Sequence, residues 1–374
     1  MESQIYGNRG LVLTRGQGVE VYDKDGKRYL DFFMGHGASL FGHNHPFLVK
    51  ALKEASERPW SIGAGFESEG RNKASESLSH FFPNHRIFWT NSGAEAIESA
   101  LKICALNRPG RSRILALRRG FHGRTCGALS LTFNPKYRSS FSPLLFKVEH
   151  YNAQELPSKI DKNTLAVFVE PIQGEGGVHP LDFSLGKAIS EQCQRTGALL
   201  VSDEIQTGFG RCGSISISSA HGLEPDVICL SKGVAGGLPV GVALWKKELL
   251  DFVPQSHGST AGGNPLVCSI AFAAMELLQK ENYPQKAKEM GAYFTSLLSS
   301  IRNPLIEEIR GEGLLVGIQL KCKVTPLIRD LQNAGLLALQ AGPMVLRFMP
   351  PFAAERHHFE EATTILERVL TNHG

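Results

Sequence analysis

The sequence predicts an α/β fold in which an open, mostly parallel sheet forms a large domain and a smaller α+β domain follows it. Short apolar runs alternate with stretches of helical spacing through most of the 374-residue chain, which is the pattern of a parallel sheet covered on both faces. The chain is also two to three times the usual domain length of ~150 residues, and the alternation stops after Gly263. We therefore expect an N-terminal arm over residues 1–44, a large domain over 45–255 and a small domain over 256–374.

The elements follow in chain order. In the N-terminal arm, Val19–Tyr22 and Arg28–Phe32 are predicted strands on either side of a D-K-D-G turn. The predicted strands of the large domain are Arg86–Thr90, Arg113–Leu117, Leu165–Glu170, Ala198–Ser202 and Val227–Leu230, and its helices include Ala94–Asn107 and Phe183–Thr196. The predicted elements of the small domain are the helices Pro265–Lys280 and Gln285–Ser300, the strands Leu314–Leu320 and Val345–Met349, and a last helix near Glu355–Leu370.

Composition excludes several classes of protein. Hydrophobic residues make up 42% of the chain and charged residues 20%, which is typical of a soluble globular protein. No apolar run reaches the ~18 residues of a transmembrane helix, and the first residues lack the layout of a signal peptide. The seven Cys residues contain no C-x-x-C pair, so neither a zinc ribbon nor a redox dithiol is expected. We expect reduced thiols, no metal, no membrane contact and a cytoplasmic location.

Charge is distributed unevenly along the chain. The formal net charge is only +4, yet residues 99–148 contain ten Lys or Arg residues and no Asp or Glu. Such a stretch favours an acidic partner, or it is neutralised by carboxylates from elsewhere in the fold. Nucleic acid is not expected, because no aromatic-interleaved or helix-turn-helix pattern accompanies the charge.

The residues that follow the predicted strands are the candidates for chemistry, because open α/β sheets bind ligands at the carboxyl ends of their strands. Ser92 and Gly93 precede a helix, where they either cap it or bind an anion such as phosphate. Phe121, between glycines, is either a core residue or a ring that stacks on a flat cofactor. Glu170 and Glu175 flank a Gly-rich turn, and such a pair of carboxylates is also found in glycosidases, but nothing else in the sequence supports a sugar site.

Two further strand ends are more specific. Asp203 directly follows an apolar strand, where a carboxylate holds a cation or a protonated ring nitrogen. Lys232 follows another strand and is flanked by small residues, and burial there would lower the pKa of its amine and make it nucleophilic. Together with an anion-binding helix start and a stacking ring, these residues are the parts that hold pyridoxal 5'-phosphate.

One glycine-rich segment matches the dinucleotide-binding fingerprint, but its surroundings do not fit that motif. Gly208, Gly210 and Gly213 match G-x-G-x-x-G. The fingerprint requires a strand immediately before it and a helix immediately after it, whereas D-E-I-Q-T intervenes here and S-I-S-I-S-S follows. NAD is therefore not expected.

The chain resembles the class III, ornithine/acetylornithine-type aminotransferases, which are fold-type-I pyridoxal-phosphate enzymes. The segments that carry the resemblance run in family order from about residue 10 to the C-terminus. They are G-H-N-H-P, N-S-G-A-E-A, G-F-H-G-R-T, V-E-P-I-Q-G-E-G-G-V, D-E-I-Q-T-G-F-G-R, S-K-G, G-S-T-A-G-G-N-P and L-R-F-M-P-P.

The resemblance implies a role for each matching residue. Lys232 would bind the cofactor aldehyde, and Asp203 would keep the pyridine nitrogen protonated. The other implied cofactor contacts are Ser92, Gly93 and Ala94 to the phosphate, Phe121 and Ile205 to the two ring faces, Gln206 to the ring hydroxyl, and Thr260 to the phosphate of the neighbouring subunit of a homodimer.

For substrates, the resemblance implies that Arg124 binds the carboxylate of the long amine substrate and that Arg347 binds the α-carboxylate of glutamate. When the long amine is bound instead of glutamate, Glu175 would cover Arg347. Three departures from the family pattern stand out. Ala94 replaces a common Thr, Cys212 replaces another, and the N-terminal arm is short.

The implied reaction moves a terminal amine to 2-oxoglutarate in two half-reactions. The leading substrate is N-acetylornithine, which would give N-acetylglutamate semialdehyde and glutamate in arginine biosynthesis. The alternative is an aminoadipate or glutamate semialdehyde bound to an acidic amino-group carrier protein, in lysine or arginine biosynthesis; Arg108, Arg111, Arg118 and Arg119 of the acid-free stretch would attract such a carrier. Ornithine and 4-aminobutyrate are further alternatives, and a protein that binds the cofactor without catalysis is disfavoured by the presence of both Lys232 and Asp203.

Overall fold

The computed structural model describes residue 5 and residues 7–63 and 65–373, so Met1 and Gly374, the outer ends of the predicted domains, lie outside the described residues. The strands within these ranges are β1 (Leu13–Gln17), β2 (Glu20–Asp23), β3 (Arg28–Asp31), β4 (His85–Thr90), β5 (Arg113–Leu117), β6 (Glu149–Tyr151), β7 (Thr164–Val169), β8 (Ile172–Gln173), β9 (His179–Pro180), β10 (Leu199–Asp203), β11 (Val227–Leu230), β12 (Gly241–Lys246), β13 (Ile306–Glu312), β14 (Leu315–Leu320), β15 (Leu336–Leu337), β16 (Leu339–Gln340) and β17 (Val345–Phe348). The α-helices are α1 (Met34–Gly37), α2 (Pro46–Ser56), α3 (Glu69–Phe81), α4 (Gly93–Asn107), α5 (Cys126–Leu131), α6 (Pro135–Arg138), α7 (Leu156–Lys159), α8 (Phe183–Thr196), α9 (Pro265–Lys280), α10 (Tyr283–Ser300), α11 (Val324–Asn333) and α12 (Arg356–Thr371).

The largest sheet has seven strands in the order β4-β12-β11-β10-β7-β5-β6. The five strands predicted for this region lie within one residue of their expected bounds, which confirms the α/β class. Strands β6 and β12 were not predicted from the sequence. Strand β12 runs antiparallel to both neighbours, because the short segment 231–240 cannot make the crossover of a dozen or more residues that a parallel pair needs.

The burial of the central strands explains why apolar runs in the sequence predicted their positions. Every residue of β7, β10 and β11 is buried, as expected for strands that are covered on both faces. Helix α4 packs Ala96, Ile97 and Ala100 into the same core. Because β4, β5, β7, β10 and β11 share one direction, the segments that follow them meet at one edge of the sheet.

Two smaller sheets bring the chain ends together. Strands β1, β2 and β3 form a sheet with β15, which pairs with β3 in parallel. A second sheet has the order β13-β14-β17-β16 and is antiparallel, and Arg347 on β17 lies opposite Gly317 on β14. Helix α9 packs against α2 and α3. The predicted domain boundaries at residues 44 and 255 stay a prediction.

The described residues contain neither a membrane-spanning helix nor a cluster of metal-binding side chains. Within the described ranges, no helix combines the length and the apolar character that crossing a bilayer requires. Among those same residues, no group of three or more His, Cys, Asp or Glu side chains is placed to share a metal ion.

Candidate active site

The start of α4 forms one wall of a buried cavity at the carboxyl edge of the large sheet. Ser92 caps this helix, and its hydroxyl oxygen accepts a hydrogen bond from the Glu95 N–H at 3.2 Å. Gly93 has no room for a side chain, because a Cβ there would lie 2.8 Å from Cδ1 of Ile205. Gly93 and Ala94 both line the cavity. The first N–H groups of a helix of this length bind anions such as phosphate.

Asp203, the last residue of β10, is buried in the same place. One carboxylate oxygen lies 2.7 Å from Nδ1 of His122, and the other accepts the Ile205 N–H at 3.1 Å. Burial favours the neutral imidazole, but the hydrogen bond and charge of Asp203 outweigh it and raise the pKa of His122. His122 was not among the predicted site residues, although it belongs to the same G-F-H-G motif as Phe121.

Lys232 follows β11 and also lines the cavity. Its backbone φ is +46°, a conformation that a residue with a side chain adopts at a cost of about 1–3 kcal/mol and that clusters at functional sites. Burial lowers the pKa of the Lys232 amine, against the charges of Glu175 and Asp203, which raise it. Lys232 therefore lies in the buried surroundings that its predicted role requires, and the role as nucleophile stays a prediction.

The remaining walls of this cavity, whose volume is about 210 Å³, include Phe121 and Ile205. Glu170 holds Phe121 in place, because its carboxylate accepts the Phe121 N–H at 2.9 Å. Burial and the charge of Asp203 raise the pKa of Glu170, so the neutral acid is favoured. The cavity therefore offers complementary groups to a flat ring, to an anion at the start of α4 and to an aldehyde at Lys232.

Arg347, on β17, is fully buried behind two residues that line this cavity, Glu175 and Gln206. Its guanidinium donates to Glu175 at 2.6 Å and to Oε1 of Gln206 at 2.9 Å. The Nε of Arg347 has no hydrogen-bond partner among the described residues. The charge of Arg347 outweighs burial and lowers the pKa of Glu175. The structure thus pairs Arg347 with Glu175, and the predicted bond from Gln206 to a ring hydroxyl stays a prediction.

Two of the predicted site residues lie outside this cluster. Arg124 is exposed, and its guanidinium carbon lies 3.7 Å from the centroid of the Tyr137 ring and 5.5 Å from that of Phe121. Thr260 is exposed and does not line the cavity. Its predicted contact would be made in a neighbouring subunit.

The acid-free stretch divides into two groups at opposite ends of β5. Arg108 donates to the carbonyl of Gly197 at 2.5 Å, and Arg111 donates to the carbonyl of Thr196 at 3.2 Å, so both hold the end of α8. Arg113 forms an ion pair with Glu149 at 2.9 Å. Arg108 and Arg111 therefore lie at the amino end of β5 and bind backbone carbonyls there, and their attraction of an acidic carrier stays a prediction.

The second group follows the carboxyl end of β5. Arg119 and Lys136 line a larger cavity of about 1140 Å³, which shares Phe121 and Glu175 with the buried cavity. Arg119 donates to Nε2 of His179 at 2.8 Å. Arg119 and Lys136, unlike Arg108 and Arg111, therefore line a cavity that adjoins the one at Lys232.

Comparison with known proteins places this geometry in a family. The model of the class-III aminotransferases matches residues 3–370. The chain belongs to the class-III aminotransferases. This confirms the predicted enzyme class and the pyridoxal 5'-phosphate cofactor.

Similar sequences carry two kinds of name. The chain is 38% identical to the [LysW]-aminoadipate semialdehyde/glutamate semialdehyde transaminase of Sulfolobus acidocaldarius, over 98% of this chain and 96% of the relative. It is 37% identical to the acetylornithine aminotransferase of Bacillus cereus, over 98% of this chain and 96% of the relative.

Solved structures agree with the fold. The ornithine aminotransferase of Toxoplasma gondii superposes with a TM-score of 0.94 at 31% identity, over 99% of this chain and 92% of that one. A pyridoxal-phosphate-bound amine transaminase from an uncultivated Pseudomonas species gives a TM-score of 0.93 at 26% identity, over 100% of this chain and 98% of that one.

Proposed function

We propose that this class-III aminotransferase moves the terminal amine of N-acetylornithine to 2-oxoglutarate, producing N-acetylglutamate semialdehyde and glutamate. The observation that carries the proposal is the buried Arg347–Glu175 pair, whose two partners lie 2.6 Å apart beside the Lys232 cavity. While paired, Arg347 and Glu175 cancel each other's charge; once separated, Arg347 offers a positive charge to a substrate carboxylate. One site can therefore serve both substrates, because glutamate carries a carboxylate next to its reacting carbon and a terminal-amine donor does not.

The pair acts as a switch because a buried guanidinium without a partner is costly. Removing one partner of a buried ion pair typically destabilises by about 3–5 kcal/mol. When glutamate binds, its α-carboxylate replaces Glu175 at Arg347. When the other donor binds, no carboxylate adjoins its terminal amine, and Glu175 stays on Arg347. Glu175 is 25% exposed whereas Arg347 is fully buried, so the carboxylate is the partner with room to move.

The buried residues divide the remaining work. Pyridoxal 5'-phosphate supplies the aldehyde and the electron sink when it is bound. Lys232 would hold the cofactor covalently, and its amine, when free, would move the proton at the reacting carbon as general base and acid. Asp203, whose carboxylate lies 2.7 Å from His122, would supply the negative charge that keeps the ring nitrogen protonated. Ser92, Gly93 and Ala94 would bind the phosphate at the start of α4.

The protein is proposed to act as a homodimer. Thr260 is exposed, and its neighbour Ser259 accepts a hydrogen bond from Asn91 at 2.9 Å, so its loop is fixed beside the start of α4. From there Thr260 would contact the phosphate in the other subunit. Arg124, exposed beside Phe121, would bind the distal carboxylate of the amine donor.

A second candidate substrate is the same type of amine attached to an acidic carrier protein. The volume of the larger cavity, about 1140 Å³, and its cationic lining favour this candidate. The names of relatives that are 37–38% identical include both possibilities.

A panel of amine donors tests the proposal. The purified enzyme with its cofactor would receive N-acetylornithine, ornithine, 4-aminobutyrate or a carrier-linked amine, and glutamate formed from 2-oxoglutarate would be measured. We expect the highest kcat/KM with N-acetylornithine among the free amines. A higher value for ornithine or 4-aminobutyrate would contradict the proposed substrate.

A further inference from the structure

The turn that carries Glu175 belongs to a very short hairpin. It joins β8 to β9, and these strands pair only at Ile172 with Pro180 and at Gln173 with His179. A two-stranded hairpin is marginally stable at best in water, even when it is longer than this one. Groups outside the hairpin must therefore hold the turn, residues 174–178, in place.

The backbone of this turn has conformations that side chains disfavour. Val178 is fully buried and has a φ of +54°, which is exceptional for a β-branched residue. Gly177 has a φ of +118°, and a Cβ at Gly176 would lie 2.6 Å from the carbonyl oxygen of Arg119. Such a backbone persists only where its surroundings enforce it, and it is concentrated at functional sites.

One row of residues across the sheet β13-β14-β17-β16 lies against the turn. Arg310 on β13 is opposite Gly317 on β14, and Gly317 is opposite Arg347 on β17. Residues that are directly opposite each other share a face of the sheet, so the two arginines lie on one face, about 10 Å or two strand spacings apart. Gly317 leaves the space between them to Val178, because a Cβ at Gly317 would lie 2.8 Å from the Val178 Cβ.

The two arginines hold opposite ends of the turn. Arg347 binds the Glu175 carboxylate at 2.6 Å. Nε of Arg310 donates to the carbonyl oxygens of Gly177 and Val178, at 2.9 and 3.0 Å. The proposed reaction breaks the first contact whenever glutamate binds, but it does not require the second contact to break.

His179 and Arg119 hold the turn from its other side. Nε2 of His179 accepts a hydrogen bond from Arg119 at 2.8 Å and lies 3.3 Å from Nη2 of Arg310. Burial and the charges of Arg310 and Arg119 lower the pKa of His179 to about 4, so at neutral pH its ring is an uncharged acceptor. The segment after β5 and the strand β13 are therefore joined at the base of the turn.

We infer that Arg310 is a positioning residue for Glu175: it fixes the backbone of the turn, so that only the Glu175 side chain leaves Arg347 when glutamate binds. The inference rests on the proposed function, because it concerns the exchange of carboxylates at Arg347. Without the bonds from Arg310, the turn relaxes away from the sheet and Glu175 covers Arg347 less well. The amine donor needs that cover and glutamate does not, so the loss of Arg310 affects one substrate selectively.

Separate half-reactions of the holoenzyme test this role. Arg310→Gln should slow the half-reaction with N-acetylornithine, or with the terminal amine that the donor panel favours, by about tenfold or more. This is the scale of one hydrogen bond from a charged donor. The half-reaction with glutamate should slow much less, because glutamate displaces Glu175 in any case. Equal slowing of both halves would indicate a merely structural residue and would overturn the inference.

A double variant shows whether Arg310 acts through Glu175. Glu175→Gln removes the charge that covers Arg347, so it should also slow the amine half-reaction. Substitutions that act through one shared contact are not additive. Arg310→Gln combined with Glu175→Gln should therefore be no slower in this half-reaction than Glu175→Gln alone, and losses that multiply would refute the inference.

Two further variants separate the bonds to the turn from charge and folding. Glu308→Gln removes the exposed ion-pair partner of Arg310 and leaves the bonds to the turn, so the ratio of the two half-reaction rates should stay unchanged. Arg310→Lys keeps the positive charge but has a methylene group in place of Nε, so it should slow the amine half-reaction as Arg310→Gln does. Arg310→Lys decides the test if Arg310→Gln does not fold, and a normal ratio in Arg310→Lys would contradict the inference.

Hydrogen–deuterium exchange tests the fixed backbone without turnover. In the unaltered holoenzyme, deuterium uptake in the peptide that contains residues 174–178 should not rise when glutamate is added. Uptake should be higher in Arg310→Lys than in the unaltered enzyme, and Glu308→Gln should leave it unchanged. A rise on adding glutamate would mean that the whole turn moves, and equal uptake in Arg310→Lys and the unaltered enzyme would mean that Arg310 does not hold it.

Failure of the proposed function gives a different result. If neither a terminal amine nor glutamate reacts with the unaltered holoenzyme, the proposed exchange at Arg347 fails. The uptake of Arg310→Lys compared with that of Glu308→Gln then still decides whether Arg310 fixes the turn.

Discussion

Two cavities share Phe121 and Glu175 but are built differently: the buried cavity beside Lys232, here called the cofactor cavity, and the larger cavity of about 1140 Å³, here called the entrance cavity. In the cofactor cavity the charged groups are buried and engaged with one another, as in Asp203 with His122 and Arg347 with Glu175. In the entrance cavity, Arg119 and Lys136 are exposed and have no carboxylate partner among the described residues. The difference indicates that reaction chemistry depends on fixed buried geometry, whereas donor selection depends on exposed charge.

The largest effect expected in the cofactor cavity comes from Lys232→Ala. Loss of the proton-transferring amine alone should lower turnover by about 10²–10⁴-fold, and loss of the covalent attachment should lower it further. The cofactor should still bind, as measured by its visible absorbance.

Lys162→Ala, which removes an exposed lysine, is the matched control and should retain normal turnover. Borohydride reduction of the unaltered enzyme should fix the cofactor on the peptide that contains Lys232. Label on a different lysine would contradict the proposed role of Lys232 as the lysine that binds the cofactor.

Asp203→Asn should have the next largest effect, because it keeps the shape of the side chain and removes its charge. We expect a loss in kcat of about 10²–10³-fold, the size measured when one preorganised electrostatic group is removed. Steady-state kinetics and thermal unfolding would be measured together to separate catalysis from stability.

The control is Asp226→Asn. Asp226 accepts a hydrogen bond from the Leu200 N–H at 2.9 Å and pairs with Lys246 at 3.0 Å, so it is a structural carboxylate at the start of β11. Its loss should affect stability more than kcat. Equal losses in kcat for both variants would mean that Asp203 is also only structural.

The sequence was most informative where one local pattern determines the structure. Apolar runs located β5 and β11 without error in their bounds, and the residues after the strands lie at one edge because those strands are parallel. Strand β12 was not predicted at all, and an apolar run carries no information on the direction of a strand.

Contacts between distant segments were harder to predict. His122 meets Asp203 across 81 residues, and no local spacing reports such a pair. Arg347 was singled out only through the family resemblance, because it lies on a separate sheet. Arg108 and Arg119 were treated as one basic surface, yet β5 separates them by about 16 Å at ~3.3 Å per residue.

Separate half-reactions of Arg347→Gln and Arg124→Gln test the division between buried chemistry and exposed selection most directly. Rapid mixing with glutamate alone or N-acetylornithine alone would be followed through the cofactor absorbance. Arg347→Gln should slow the glutamate half by roughly 30- to 5,000-fold, the equivalent of about 2–5 kcal/mol for a lost buried charge contact, and should slow the amine half much less. Arg124→Gln should slow the amine half-reaction more than the glutamate half-reaction. The factor should be smaller than for Arg347→Gln, since Arg124 is exposed. Equal slowing of both halves in each variant would contradict the account.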